Sequence, residues 1–147
     1  MKILSIILLL VTLHGNSQMI STPSFREPTL TFETAKINRF NTKTKTYGAE
    51  IFKTCTVIIE YANTTTPTIS VDMPDIYYCK NLEVYSIKYE KDETSEYVTY
   101  MVKDDKYICG ISIFWGTDYR TPLNLNVSFT NISTTPQIKS YKLYEFK

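Results

Sequence analysis

Three cysteines and a scatter of carboxylates are the residues of this chain that could do covalent or acid–base chemistry. Cys55, Cys79 and Cys109 could supply a thiolate nucleophile, a metal site or a disulfide. A thiolate nucleophile needs a base or a positive field beside it, most often a histidine. The one histidine, His14, lies in the N-terminal run 1–17. A chain that has lost this run has no imidazole for Cys109 or for a Ser-His-Asp arrangement. Zinc would need His or closely spaced Cys, and no C-x-x-C occurs. Calcium could draw on Asp72, Asp75, Asp104, Asp105 and Asp118. No EF-hand loop joins them, and Asp is an ordinary turn residue. Paired carboxylates could serve a glycosidase. The acids gather in expected turns, above all KDETSE at 91–96, which reads as a solvated hairpin tip. Beyond the leader the glycines are Gly48, Gly110 and Gly116, too few for a phosphate-cradling loop. The residue inventory therefore points away from an enzyme, with no cofactor and no metal expected.

The N-terminus reads MKILSIILLLVTLHGNSQ. Lys2 is a short positive region, residues 3–13 are an almost unbroken apolar run, and Gly15 and Ser17 have the small-residue spacing of a signal peptidase site. Residues 1–17 are expected to be a cleaved signal peptide, leaving 18–147 as one secreted domain that begins at Gln18. The apolar run is short for a membrane span and no second one follows. Removing Lys2 leaves 15 basic residues against 15 acidic ones, a balance with no electrostatic footprint for nucleic acid. About 130 residues are enough for one domain with its own core. In an oxidising compartment one disulfide is expected, with one thiol left over. Three pairings are open on the residues alone. Asn63, Asn126 and Asn131 each open an Asn-x-Ser/Thr sequon, a candidate glycan site that must face solvent.

The elements that would position these residues read as strands. Tyr, Thr, Ile and Val are abundant, which suits a pleated, half-buried surface. Residues 29–40 hold one or two strands and 41–46 a polar loop. Tyr47, Ala49, Ile51, Cys55, Val57, Ile59 and Tyr61 share one parity, a period of two that places Cys55 in the core. Ile69, Val71 and Met73 form a short strand stopped by Pro74. Further strands are expected at 76–79, 82–89, 97–102, 107–115, 123–129 and 138–146. In 107–115, Tyr107, Cys109, Ile111, Ile113 and Trp115 share one face and make a core strand. In 123–129, Leu123, Leu125, Val127 and Phe129 point inward and Asn126 outward. Eight to nine strands with no room for a large helix predict an all-β, antiparallel β-sandwich.

Twelve tyrosines offer contact area of a kind suited to interfaces and sugar stacking. Tyr85, Tyr89, Tyr97, Tyr100, Trp115 and Tyr119 are the candidate ligand-binding residues.

The run Asp105-Lys106-Tyr107-Ile108-Cys109 resembles the D-x-Y-x-C signature of immunoglobulin-like domains. The resemblance implies a disulfide from Cys109 to a facing sheet, with Cys55 as the natural partner and Cys79 as the free or intermolecular thiol. It covers only these positions, and Asp75-Ile76-Tyr77-Tyr78-Cys79 matches the same pattern. The only Trp, Trp115, stands after the second Cys, where the family's core Trp stands after the first. A divergent sandwich, of the kind secreted viral immune modulators use, is what the resemblance suggests. The expected function is a secreted glycoprotein module that engages an extracellular protein partner. A carbohydrate- or lipid-binding module is the alternative, and a small carboxylate hydrolase stands third.

Overall fold

The computed structural model describes residues 28–91, 93, 96–115, 122–133 and 137–146. The expected leader at 1–17, the new terminus at Gln18 and the loop carrying Tyr119 lie outside them. Eight strands follow one another: β1 (Thr29–Asn41), β2 (Thr46–Glu60), β3 (Thr68–Met73), β4 (Tyr77–Lys91), β5 (Glu96–Lys103), β6 (Tyr107–Trp115), β7 (Pro122–Asn131) and β8 (Lys139–Phe146).

These strands do not form the expected sandwich. Each pairs antiparallel with its sequence neighbour, and β1 also pairs with β8, so they close into a single barrel. Ile37 meets Leu143 and Arg39 meets Tyr141 along this seam. An amphipathic strand can bury its apolar face against a second sheet or inside a sheet curled on itself. Both solutions show the same alternation, and here the β1–β8 pairing decides for the barrel.

The interior is packed with side chains, as expected of eight strands. Val57, Ile59, Ile69, Val71, Val98, Ile111, Ile113, Leu125 and Leu143 are fully buried. Aromatic rings close both rims. At one, Tyr77 stacks on Phe129 at 4.7 Å, Phe129 lies parallel to Tyr141 at 6.1 Å, and Tyr107 stands edge-on to Phe129 at 5.9 Å. At the other, Phe32 meets Trp115 at 6.4 Å and Phe146 at 5.6 Å. The barrel is apolar inside and largely polar outside, the reverse of a membrane-spanning barrel.

Turns follow their side chains. The Asn41 carboxamide oxygen accepts from the Lys43 N–H at 2.9 Å and starts the β1–β2 turn. Asp104 accepts from the N–H groups of Lys106 and Tyr107, each at 2.7 Å. At Thr34/Lys36 the β1 register shifts. There the buried Thr34 hydroxyl accepts from the Lys36 N–H and donates to the Tyr144 carbonyl, tying the shift to β8. The two strands expected at 76–79 and 82–89 are one strand, β4, with register shifts against β3 and β5.

The implied Cys55–Cys109 disulfide is also corrected. Cys55, Cys79 and Cys109 are all free thiols and all buried, so Cys79 is not a single leftover thiol. They enter one interior from β2, β4 and β6, and the facing sheets that the bond was to join do not exist.

Candidate functional site

β2 has 15 residues and β3 only six. Proline has no N–H to continue a ladder, and β3 stops before Pro74, with Asp75 turning the chain at φ 60°. The pairing of β2 with β3 is therefore confined to Thr56–Glu60. Upstream of Thr56, β2 keeps β1 on one side and, among the described residues, has no strand on the other. Its backbone edge there is open, and residues 46–52 are all exposed.

This exposure corrects one part of the sequence reading. The parity of Cys55, Val57 and Ile59 does point inward, but Tyr47, Ala49, Ile51 and Tyr61 are exposed. Along the open edge Phe52 is 76% exposed, Tyr47 44% and Ile51 40%. Isolated surface apolar residues are ordinary, and three along one unpaired edge make this run the candidate contact surface.

The ribbon is held in shape. Tyr47 packs on Phe40 with ring centroids 5.1 Å apart, and the Lys142 ammonium lies 5.6 Å from the Tyr47 ring. The Asn38 amide donates to the Gly48 carbonyl at 3.0 Å. Beside Phe52 is a charged cluster. Lys36 pairs with Glu145 at 2.7 Å and lies 3.8 Å from Glu50, while the Tyr144 hydroxyl donates to Glu50. Its bond to Glu145 raises the Lys36 ammonium above its usual range. Acceptance by Glu50 lifts the Tyr144 phenol to about 12. Lys53 is bound to Asp75 at 3.0 Å. Lys36 and Lys53 thus each have an oppositely charged neighbour beside the edge.

The structure does not gather the candidate tyrosines into one patch. Tyr85 is exposed on β4, with the Lys103 ammonium 5.8 Å from its ring. Tyr97 stacks on Phe114 at 5.2 Å on the outer face. Tyr89 and Trp115 point inward, Tyr89 partly buried and Trp115 buried against Phe32. Tyr100 is fully enclosed and is a core residue rather than a ligand contact. Tyr119 lies outside the described residues.

Of the sequon residues, Asn63 is exposed in the turn after β2. Asn131 ends β7, and its side-chain oxygen accepts from the Ser133 N–H at 2.8 Å. Asn126 faces outward between Ser112 and Lys142, but its side-chain oxygen is buried.

The thiols are placed for burial, not attack. Desolvation pushes Cys55 up to about 11 and Cys109 to about 12, and it also raises Cys79. Such thiols carry little thiolate at neutral pH. Of the acids, Asp104 holds a turn, and Glu96, placed on the solvated tip by the sequence, begins β5 and is buried. Among the described residues no group of three or more His, Cys, Asp or Glu is disposed to hold a metal ion. None of their helices is long and apolar enough to cross a membrane.

Sequence reasoning missed the open edge because it depends on where β3 ends relative to β2. The brevity of Ile69–Met73 before Pro74, set against a long preceding strand, was the available signal. No protein-family model, no curated protein and no solved structure matches the chain.

Proposed function

We propose that this chain is a secreted, non-catalytic binding protein that engages an extracellular protein partner along the open edge of β2. The observation that carries the reading is the run 46–52, exposed throughout and unpaired on one side, with Phe52, Tyr47 and Ile51 along it. An unpaired edge offers a row of N–H and C=O groups whose best complement is another extended chain. Main-chain bonds would supply register and affinity, and the exposed rings would select side chains. The N-terminal run and the sequons support secretion and glycosylation. The lipid alternative draws no support from the barrel interior, which core side chains occupy.

The test is capture from extracellular fluid with the purified secreted chain, in wild-type form and with Phe52→Asp. Phe52 is largely exposed, so this variant is expected to fold normally. A partner held by the wild type should be lost from the variant by roughly 30-fold or more, as for an interface hot spot. No captured partner, or one retained equally by both forms, would remove the proposal.

A further inference from the structure

The barrel carries a second feature, on its outer wall over β2, β3 and β4. The middle strand of the three presents short side chains outward, with Ser70 at its centre and Asp72 beside it. Its neighbours present longer ones, so the wall dips along β3 into a trough with a volume of about 250 Å³. Ile58 stands on the β2 side and Tyr78 on the β4 side.

The β4 bank is built by a bulge. The pairing with β3 shifts between Ile69 and Val71, and Asn81 adopts a left-handed backbone at φ 51°. A bulge re-aims side chains that strict alternation would send to opposite faces. Here it turns both Lys80 and Asn81 outward, between the inward-facing Cys79 and Leu82. Ser70 fixes Asn81 in two ways, donating to its side-chain oxygen at 3.0 Å and accepting from its backbone N–H at 2.9 Å. The Asn81 oxygen is thereby engaged, and its NH₂ is left to donate. The Tyr78 ring is 65% exposed across from Asp72.

We infer that this trough binds a single saccharide ring. Three properties select that chemistry. First, the volume is below the roughly 300–1,000 Å³ of pockets for drug-sized ligands, so it suits one ring-sized unit. Second, the lining joins an exposed aromatic face to acceptors and donors at close spacing. A pyranose needs this combination, since it has an apolar C–H face and a rim of hydroxyls. Asp72 would accept from hydroxyls, Asn81 and Lys80 would donate to them, and Tyr78 would take the C–H face. Third, Lys80 is balanced by Asp72 and by Glu60 at the far end, so the trough has no net positive charge to favour a phosphate or sulfate. This site lies over the part of β2 that β3 pairs, Thr56–Glu60, downstream of the open edge, and does not rest on that edge.

The experiment is saturation-transfer NMR on the intact secreted chain, made without N-glycans. The probes are methyl glycosides of glucose, galactose, mannose and N-acetylglucosamine. At least one should bind with millimolar affinity. Tyr78→Ala and Asp72→Asn should each weaken it by roughly fivefold or more, while Phe52→Asp leaves it unchanged. Tyr78 and Asp72 are exposed, so both variants should keep the wild-type thermal midpoint. No binding by any of the four glycosides would overturn the inference, as would binding that survives both trough substitutions. Binding abolished by Phe52→Asp alone would also overturn it, by moving the saccharide to the edge.

Discussion

Tyr100→Phe should make this protein more stable, although it removes a polar group from the middle of the barrel. Tyr100 is fully buried on β5 and its hydroxyl has no hydrogen-bond partner among the described residues. Burial without compensation drives its phenol well above the usual range. A buried polar group left unpaired costs about 1–3 kcal/mol relative to its hydrated state in the unfolded chain. Deleting one oxygen leaves a small void, whose cost at about 24 cal/mol per Å³ is a few tenths of a kcal/mol. The expected net gain is about 1 kcal/mol, which for a domain of this size raises the midpoint of thermal unfolding by roughly 3–5 °C. Urea unfolding followed by Trp115 fluorescence measures it directly, and an unchanged m-value would show that only stability has moved. A loss of about 1 kcal/mol or more would refute the reasoning, because it would mean that the hydroxyl is satisfied in the folded chain. Tyr77→Phe is the internal comparison. The Tyr77 hydroxyl is also buried but has the thiols of Cys79 and Cys109 beside it, so its removal should gain less.

Two further outcomes concern the thiols. The native chain should fail to react with an aromatic disulfide reagent at neutral pH and should yield all three thiols after denaturation; fast labelling of any one in the folded state would contradict its burial. Stability should also hold below about pH 9 and fall as pH rises towards 12. The folded state keeps protons on Cys55 to about 11 and on Cys109 to about 12, against an ordinary value of 9.0. Through that window the unfolded chain releases protons that the folded chain retains, so alkalinity favours unfolding, by up to about 1.4 kcal/mol per pH unit for each group. Cys109→Ala should flatten the decline seen in urea midpoints between pH 8 and 11, and a flat wild-type profile would count against the buried thiols.

The sequence made the strands legible, and it made one face of most of them legible too. Tyr107 to Trp115 alternates in the structure as its residue types require, with Cys109, Ile111, Ile113 and Trp115 inside. Closure was not legible, because Ile37 facing Leu143 is a pairing between the two ends of the chain that no local pattern encodes. Bulges were missed for a related reason. Lys80-Asn81 looks like a turn between two strands, yet it is a bulge inside one, since Ser70 on the neighbouring strand supplies the partner that a turn would have found locally. The same limit hid both candidate sites. Residue type suggested that tyrosines would matter, but exposure chose Tyr78 and the non-tyrosine Phe52, and it enclosed Tyr100. The parity of β2 foretold apolar residues on one side and could not tell that β3 would end too soon to pair with the strand upstream of Thr56.

The seam between β1 and β8 bears on how the barrel can be assembled. Every other pairing joins strands adjacent in sequence with at most seven residues between them, so it closes only a short stretch of chain and can form early. The seam joins Thr34 to Phe146 and must wait until all eight strands are in place, because it is the one contact that pays the full loop-closure entropy of the chain. Until then two raw sheet edges, those of β1 and β8, face outward. The first and last strands finish side by side, so the cyclic order of strands has no intrinsic beginning. A chain joined across the seam and reopened at another turn would retain every neighbour pairing of the barrel. The original order matters chiefly for which edge stays exposed longest on the way to the closed state.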